Sequence, residues 1–163
     1  MSMKALLVID MQNDFITGAL AVRGALEIIG PIAQKVEEAS KGDYVIFHSK
    51  DWHPVDHMSF KPRGPWPVHC VQATWGAELH PGLAHLLHHV GSWQLLKGQD
   101  PTVEEYSAFN SHLLHHLLTM HKITEVEICG LARDYCVKET ALAAMNAGYK
   151  VTILEDLCRS VGN

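Results

Sequence analysis

The sequence has few of the features that mark proteins binding nucleic acids or anionic membranes. Among its 163 residues, 13 are Lys or Arg and 18 are Asp or Glu, which gives a formal net charge of −5. No run of basic residues interrupts this pattern. Because a basic patch is what attracts phosphate groups, we expect neither nucleic acid nor a membrane surface as a partner.

Long hydrophobic runs and paired cysteine motifs are also missing. Near the N-terminus the apolar run ALLVI spans only residues 5–9, which is shorter than a signal peptide or a membrane span requires. The four cysteines show no CxxC spacing. We therefore expect a cytoplasmic protein and interpret its cysteines as thiols, not as a disulfide framework.

What is present is the composition of a globular protein, with 47% hydrophobic and 19% charged residues. The length suits a single domain over residues 1–163. Short apolar runs that predict strands alternate with helical patterns, and this order predicts an α/β fold with three layers, α/β/α, around a parallel sheet. The predicted strands are residues 5–9, 44–47, 93–96, 126–129 and 151–154, and the predicted helices are residues 26–39, 111–119 and 136–147.

A different pattern covers residues 49–84, which hold five of the seven prolines. It predicts a long irregular connection, and loops of this length in compact domains are usually functional or disordered. Four aromatic residues in it argue against disorder: Trp52, Phe60, Trp66 and Trp75.

Polar residues follow several predicted strands at their carboxyl ends. Asp10, Asp51, Lys97 and Cys136 all occupy such positions. In open α/β sheets, ligands bind beyond the carboxyl ends of the strands. We therefore expect these four side chains to share one edge of the sheet.

Cys136 is a candidate nucleophile. It follows the segment GLARDY and begins a predicted helix, and a helix start or a nearby cation lowers the pKa of a thiol. Asp10 is a suitable base and Lys97 a suitable cation. The alternative is that Cys136 is a small buried apolar residue, which is how we interpret Cys129.

A candidate metal site lies in the segments DWHPVDH, residues 51–57, and PVHC, residues 67–70. In an extended chain Asp51 and His53 point to the same side and offer one oxygen and one nitrogen ligand. His69 or His57 completes the set, which suits zinc, iron or manganese. The alternative is that these histidines only bond to the backbone of a loop.

These motifs together identify a resemblance. The pieces ALLVIDMQNDF, HSKDWHPVDHMSF, WPVHCVQATWGAELHP, LLKG, YSAF and EICGLARDYCVKETALAAMNAGYKVTIL span nearly the whole chain. In this order they resemble the nicotinamidases of the isochorismatase-like cysteine hydrolases, which implies that family's Rossmann-like fold. Isochorismatases themselves lack the nucleophilic cysteine, so Cys136 argues against them, and DWHP with PVHC points to the metal-containing branch.

The resemblance implies a mechanism. Asp10 takes the proton of Cys136, Lys97 favours the ionised forms of both, and the thiolate attacks the amide carbonyl of nicotinamide. Ammonia leaves, and water hydrolyses the thioester to nicotinate. The backbone N–H groups of Ala132 and Cys136 match the family's oxyanion hole, which depends on a cis peptide bond, here between Leu131 and Ala132.

The resemblance also implies ligands for one divalent metal, with zinc as the first expectation and iron or manganese as alternatives. Asp51, His53 and His69 match the family's metal ligands, and His57 matches a ligand that only some members have. In the family the metal binds the ring nitrogen of the substrate. The aromatic residues that match those around the pyridine ring are Phe15, Trp66 and Tyr106; their alternative role is core packing.

The chain departs from the family at its end, DLCRSVGN. Relatives continue with a helix and a sixth, edge strand, so we expect a sheet of five strands in the order 3-2-1-4-5. We also expect an apolar surface near residues 151–163, which either is covered in a homo-oligomer or leads to low solubility and a low melting temperature. Two functional alternatives remain: a related cysteine hydrolase that acts on another small amide or carbamoyl compound, and an inactive, shortened homologue.

Overall fold

A parallel five-stranded sheet forms the centre of the molecule. The computed structural model describes residues 2–162. The strands lie in the order β3-β2-β1-β4-β5 and every neighbouring pair is parallel, which confirms the predicted order and fold class. The strands are β1 (Lys4–Ile9), β2 (Tyr44–Asp51), β3 (Trp93–Lys97), β4 (Glu125–Leu131) and β5 (Lys150–Arg159).

Helices cover both faces of this sheet. They are α1 (Asn13–Ile16), α2 (Ile29–Ser40), α3 (Pro81–His89), α4 (His112–Met120) and α5 (Lys138–Asn146). The predicted helices 26–39, 111–119 and 136–147 correspond to α2, α4 and α5. A π-helical turn, Arg133–Val137, runs directly into α5, and single 3₁₀ turns lie at Ala25–Ile28, Trp75–Ala77 and Ala108–Asn110.

Helix α3 was not predicted from the sequence, and it begins inside the segment that was interpreted as an irregular connection. Pro81 is its first residue, a position where proline costs no hydrogen bond. The side chain of His80 caps this end by accepting a hydrogen bond from the N–H of Gly82 at 3.0 Å. The proline that looked like a loop signal therefore starts a helix.

The core lies in two layers, one on each side of the sheet. Leu6 and Val8 of β1 point into the layer covered by α2 and α3. Leu7 and Ile9 point into the layer covered by α4 and α5. Fully burying each such side chain contributes about 1.5–3 kcal/mol, so an uninterrupted apolar run is what a central strand with two covered faces requires.

Gly130 lets β4 approach β1 closely at the functional end of the sheet. It pairs with Ile9 and has a φ of +114°, and a Cβ atom there would overlap the carbonyl oxygen of Ile9. Only glycine fits this position. The close approach brings the residue after β1, Asp10, beside the turn that follows β4.

Strand β5 lies at one edge of the sheet and is irregular. Ile153 pairs with Ile128, whereas Cys158 pairs with Gly130, so residues 154–157 bulge out of register. Leu154 and Leu157 within this bulge are half-buried against the α2–α3 core layer. Among residues 2–162, no helix combines the length and the apolar character needed to cross a membrane.

Candidate active site

Three strand ends bring a carboxylate, an ammonium group and a thiol together, as the sequence predicted. Asp10 follows β1, Lys97 ends β3, and Cys136 lies in the π-helical turn after β4. The Nζ atom of Lys97 lies 2.8 Å from Oδ2 of Asp10 and 3.3 Å from Sγ of Cys136. All three residues are at least 95% buried, with exposures of 0%, 1% and 5% in chain order.

The carboxylate of Asp10 is held from two sides. Ser49 Oγ donates a hydrogen bond to its Oδ1 at 2.7 Å, while Lys97 contacts Oδ2. Its own N–H donates to the carbonyl of Ser49 at 3.1 Å. The φ of Asp10 is +49°, an uncommon value for a residue with a side chain, and one that clusters at functional sites. Ser49 was not predicted as a site residue, since its only signal in the sequence was its place near the end of β2.

Burial and neighbouring charge set the protonation of this cluster. Burial raises the pKa of Asp10, although Lys97 opposes the shift. Burial works to lower the pKa of Lys97, but the carboxylates of Asp10 and Asp51 outweigh it and raise that pKa well above its usual value. Lys97 therefore stays charged, and the carboxyl of Asp10 is a stronger base than an exposed aspartate.

The expectation of a low-pKa thiol at Cys136 was wrong for the resting site. Burial raises the pKa of Cys136 well above its usual value; Lys97 lowers it, and the nearby Asp10 raises it further. One cation shared with two carboxylates does not offset the desolvation of a thiolate. The thiol is thus protonated at rest and needs a base.

A second cluster, of possible metal ligands, adjoins the first. Asp51, His53 and His69 offer ligand atoms that all lie within 4.8 Å of one another. Oδ2 of Asp51 lies 3.4 Å from Nε2 of His53 and 3.9 Å from Nε2 of His69. The other oxygen of Asp51 is 2.5 Å from Lys97 Nζ, so Lys97 joins the two clusters.

Backbone carbonyl groups set the tautomers of both histidines. Nδ1 of His53 lies 2.8 Å from the carbonyl oxygen of Gly98, and Nδ1 of His69 lies 2.7 Å from that of Pro67. A carbonyl only accepts, so each Nδ1 carries the proton and each Nε2 lone pair is free. One carboxylate oxygen and two such nitrogens fit a divalent metal such as zinc.

His57, the possible fourth ligand, does not join this cluster. Its Nε2 lies 3.1 Å from the carbonyl oxygen of Val103, and its Nδ1 accepts from the N–H of Ser59 at 3.2 Å. Both ring nitrogens are therefore used, and neither offers a free lone pair. The ring instead packs against that of His53, with centroids 4.0 Å apart.

A pocket open to solvent connects the two clusters. The three predicted aromatic residues, Phe15, Trp66 and Tyr106, line it together with Cys136 and Asp51, and its remaining lining residues are Leu20, His69, Glu104, Ala132, Tyr135 and Val161. Its aromatic walls and its few convergent polar groups suit a small aromatic ligand.

Tyr135 and Glu104 line this pocket but were not predicted from the sequence. The ring of Tyr135 contacts Trp66 and Tyr106 at centroid distances of 5.0 and 5.5 Å, and Trp66 Nε1 donates to the hydroxyl of Tyr106 at 3.1 Å. Glu104 is half-buried, and burial raises its pKa. The available signal for Tyr135 was its position next to Cys136; for Glu104 there was none.

The residues after β1 brace the segments that carry the possible ligands. The side chain of Gln12 donates to the carbonyl of Asp51 at 2.7 Å and accepts from its N–H at 2.9 Å. Oδ2 of Asp14 accepts from the N–H of Cys70, next to His69, at 2.8 Å. In the sequence both residues belong to the segment ALLVIDMQNDF, to which no bracing role was assigned.

The positions that match the oxyanion hole also face the pocket. Ala132 and Cys136 both line it, and the peptide bond between Leu131 and Ala132 is cis. The carbonyl of Ala132 accepts hydrogen bonds from the N–H groups of Tyr135 and Val137, each at 3.1 Å. Cys136 thus lies in the first turn of a helix, where free N–H groups and the helix dipole favour negative charge.

Comparison with known proteins agrees with this architecture. The chain is 37% identical to the nicotinamidase of Escherichia coli, over 97% of this chain and 84% of that protein. The structure of the yeast nicotinamidase Pnc1p superimposes with a TM-score of 0.92 at 34% identity, covering 99% of this chain and 90% of the other. The pyrazinamidase of Pyrococcus horikoshii in complex with zinc gives a TM-score of 0.86 at 36% identity, over 97% and 87% of the two chains.

A family model described as the isochorismatase domain matches residues 4–163. The match covers nearly the whole chain and agrees with the parallel sheet and with the site at the carboxyl ends of its strands. The chain therefore belongs to the isochorismatase family.

Proposed function

We propose that this protein hydrolyses the amide of nicotinamide to nicotinate and ammonia. The observation that carries the proposal is the pocket itself, which has the buried Asp10–Lys97–Cys136 cluster on one side and the Asp51–His53–His69 cluster on the other. The names of the relatives and solved structures support the same substrate class.

In the first half-reaction Asp10 takes the proton of the Cys136 thiol, from which one of its oxygens lies within 4.8 Å. The sulfur then forms a bond to the amide carbon, and the negative charge moves to the carbonyl oxygen. The N–H groups of Ala132 and Cys136 stabilise that charge; one such donor is worth about 2.7–4 kcal/mol. The C–N bond breaks, and Asp10 returns the proton to the leaving ammonia.

In the second half-reaction Asp10 takes a proton from a water molecule, whose oxygen attacks the thioester carbon. The C–S bond breaks, nicotinate leaves, and the proton returns from Asp10 to the sulfur. Lys97 keeps its charge throughout, because its pKa is raised by the two carboxylates it contacts. It stabilises each step in which Asp10 or Cys136 is ionised.

We propose that Asp51, His53 and His69 hold one divalent metal, with zinc as the first expectation. When bound, the metal supplies an acceptor for the lone pair of the pyridine nitrogen. The chain orients this site: Gly98 and Pro67 fix the histidine tautomers, and Lys97 occupies the second oxygen of Asp51. Phe15, Trp66 and Tyr106 would pack around the ring.

The main alternative is a cysteine hydrolase that acts on a carbamoyl compound or another small amide. The Asp10–Lys97–Cys136 cluster alone would suit such a substrate equally well. The metal cluster distinguishes the two, because an anchor for a ring nitrogen serves only an aromatic heterocycle.

The test is to measure ammonia release by the purified chain from nicotinamide, from benzamide and from a carbamoyl amino acid, with and without a chelator. We expect activity on nicotinamide, lost with chelator and restored by zinc, and little on benzamide, which lacks the ring nitrogen. Activity confined to the carbamoyl compound would replace the proposal with the alternative. No ammonia from any amide above the level of Cys136→Ala would contradict both and support an inactive homologue.

A further inference from the structure

A short segment after β5, residues 160–162, forms part of the pocket wall. Val161 lines the pocket beside Cys136 and Tyr135. The side chain of Val161 is itself 42% exposed, so core packing does little to hold it there. Something other than burial must position this wall.

The carboxylate of Asp134 holds the segment in place. Its Oδ1 accepts a hydrogen bond from the N–H of Val161 at 2.9 Å, and its Oδ2 accepts from the N–H of Gly162 at 2.8 Å. Hydrogen bonds to an ionised acceptor are about twice as strong as neutral ones. The neighbouring cation Arg133 does not compete, because it makes a bidentate pair with Glu155 at 2.8 and 3.0 Å.

The same segment separates the pocket from a second cavity. That cavity is lined by Arg23, Gly24, Glu27 and Arg159, together with residues 160–162, so Val161 borders both spaces. Arg159 is paired there with Glu27 at 3.2 Å. If the segment moved toward this second cavity, the pocket would widen on the side of the thiol.

We infer that Asp134 is a positioning residue that ties the pocket wall to the turn carrying the nucleophile, and that Val161 sets the width of the pocket. The inference rests on the proposed function for its substrate. Asp134 lies two residues before Cys136 in the same π-helical turn, so one carboxylate fixes the wall relative to the thiol. Asp134 touches neither the reacting atoms nor the metal ligands.

The test compares Asp134→Asn with a matched control. Asparagine has the same shape but only one acceptor oxygen, so one of the two N–H groups loses its partner. If the wall is then in place about a tenth of the time, KM for nicotinamide rises roughly tenfold while kcat changes little. The control is Glu27→Gln, which removes a charge next to the same segment on the side away from the pocket and should leave both constants unchanged.

Two further measurements do not depend on amide hydrolysis. In Asp134→Asn the backbone amides of Val161 and Gly162 should exchange hydrogen faster, and Cys136 should react faster with a bulky maleimide, whereas Glu27→Gln should behave as the wild type in both.

The role of Val161 is tested by hydrolysis. In Val161→Ala, the ratio of kcat/KM for a ring-methylated nicotinamide to that for nicotinamide should rise.

Unchanged amide exchange and unchanged maleimide reaction in Asp134→Asn would overturn the inference, whatever the substrate proves to be. A loss of kcat as large as the expected rise in KM, with KM itself unchanged, would also overturn the inference. It would mean that Asp134 supports the chemistry and not the pocket wall. A wild-type protein inactive on nicotinamide but showing the exchange and maleimide effects would contradict the proposed function and leave the positioning role of Asp134 standing.

Discussion

At the scale of single residues, Lys97 is the group that joins the two halves of the site. Its ammonium contacts Asp10, Asp51 and Cys136 at 2.8, 2.5 and 3.3 Å. Two carboxylates beside one buried cation keep that cation charged. Any substitution of Lys97 would therefore disturb both the thiol and the metal cluster, and would not report on either alone.

Cys136→Ala separates bond formation from binding. We expect turnover to fall at least about a thousandfold, as removal of a nucleophile typically causes, while nicotinamide still binds because the metal cluster and the aromatic residues remain. Steady-state assays measure the turnover, and calorimetric titration measures the binding of nicotinamide.

The control is Cys129→Ala, a substitution of a cysteine that is buried in β4 and lies outside the site. Activity of Cys136→Ala within tenfold of the wild type would mean that another group is the nucleophile.

His48 makes stability depend on pH. It is buried next to Ser92, with Nδ1 2.8 Å from Oγ, and burial lowers its pKa from 6.5 to about 4. At pH values between about 4 and 6.5, His48 is therefore protonated in the unfolded chain and neutral in the folded chain. The free energy of unfolding therefore falls as pH drops from about 6.5 to 4, by about 3 kcal/mol from this group, and loses nothing further below that window.

Urea unfolding at pH 7 and pH 4.5 measures this contribution. The loss of stability between the two pH values should be about 2–3 kcal/mol smaller in His48→Gln than in the wild type. The matching substitution of an exposed histidine on α4, His116→Gln, should leave the loss unchanged. Equal losses of stability in all three proteins would show that His48 does not cause this dependence of stability on pH.

At the scale of elements, the turn after β3 supports the metal cluster through a glycine. Gly98 has a φ of +71°, and a Cβ atom there would overlap the ring of His53. The ring packs against this backbone and uses its carbonyl as the partner of Nδ1. The shape of one turn thus determines which way a ligand on another segment points.

Gly98→Ala should displace His53 and lower the affinity for zinc at least about tenfold, in the range expected when the partner of a metal-ligating histidine is disturbed. Gly91→Ala is a matched control, because Gly91 has a φ of +72° and a Cβ atom added there would meet no other atom within 4 Å. Both variants carry similar backbone strain, about 1 kcal/mol or somewhat more.

Zinc titration with a competing chelator measures the affinity, and thermal unfolding measures the shared cost of the strain. We expect both metal-free forms to fold, with a lower melting temperature for Gly98→Ala because of the added overlap with His53, and weaker zinc binding in Gly98→Ala alone. Equal zinc affinities in the two variants would mean that the position of Gly98 against His53 does not support the metal site.

At the scale of the whole molecule, β5 is an edge strand, with a neighbouring strand on one side only among residues 2–162. It is ten residues long, and its side chains are mostly exposed or half-exposed. Long edge strands readily pair with another chain. We propose that the protein self-associates through β5, in line with the homo-oligomer expected from the sequence.

Light scattering after size-exclusion chromatography should find a dimer or larger assembly of the wild type at micromolar concentration. Thr152→Lys, at an exposed position of β5, should favour the monomer because a charge on an edge strand discourages pairing. Thr119→Lys, at an exposed position on α4, adds the same charge elsewhere and should not change the assembly. A wild type that is monomeric at all concentrations would exclude this interface.

The architecture, and the edge of the sheet where the site lies, could be predicted from the order of residues along the chain. Uninterrupted apolar runs such as residues 5–9 are typical of strands buried on both faces, and the alternation of such runs with helical patterns predicts a parallel sheet. A parallel sheet places the residues after its strands at one edge, which is why Asp10, Lys97 and Cys136 could be grouped although they are far apart in the chain. These inferences need only local patterns and one topological rule.

The protonation of Cys136, the exclusion of His57 from the ligand cluster, and the roles of Ser49 and Asp134 could be learned only from the folded molecule. The pKa of the thiol depends on how completely water is removed and on which charges share Lys97. The other roles depend on contacts such as that between Asp134 and Val161, 27 residues away in the chain. Burial and distance between remote residues are properties of the packed molecule, and no local pattern of residue types encodes them.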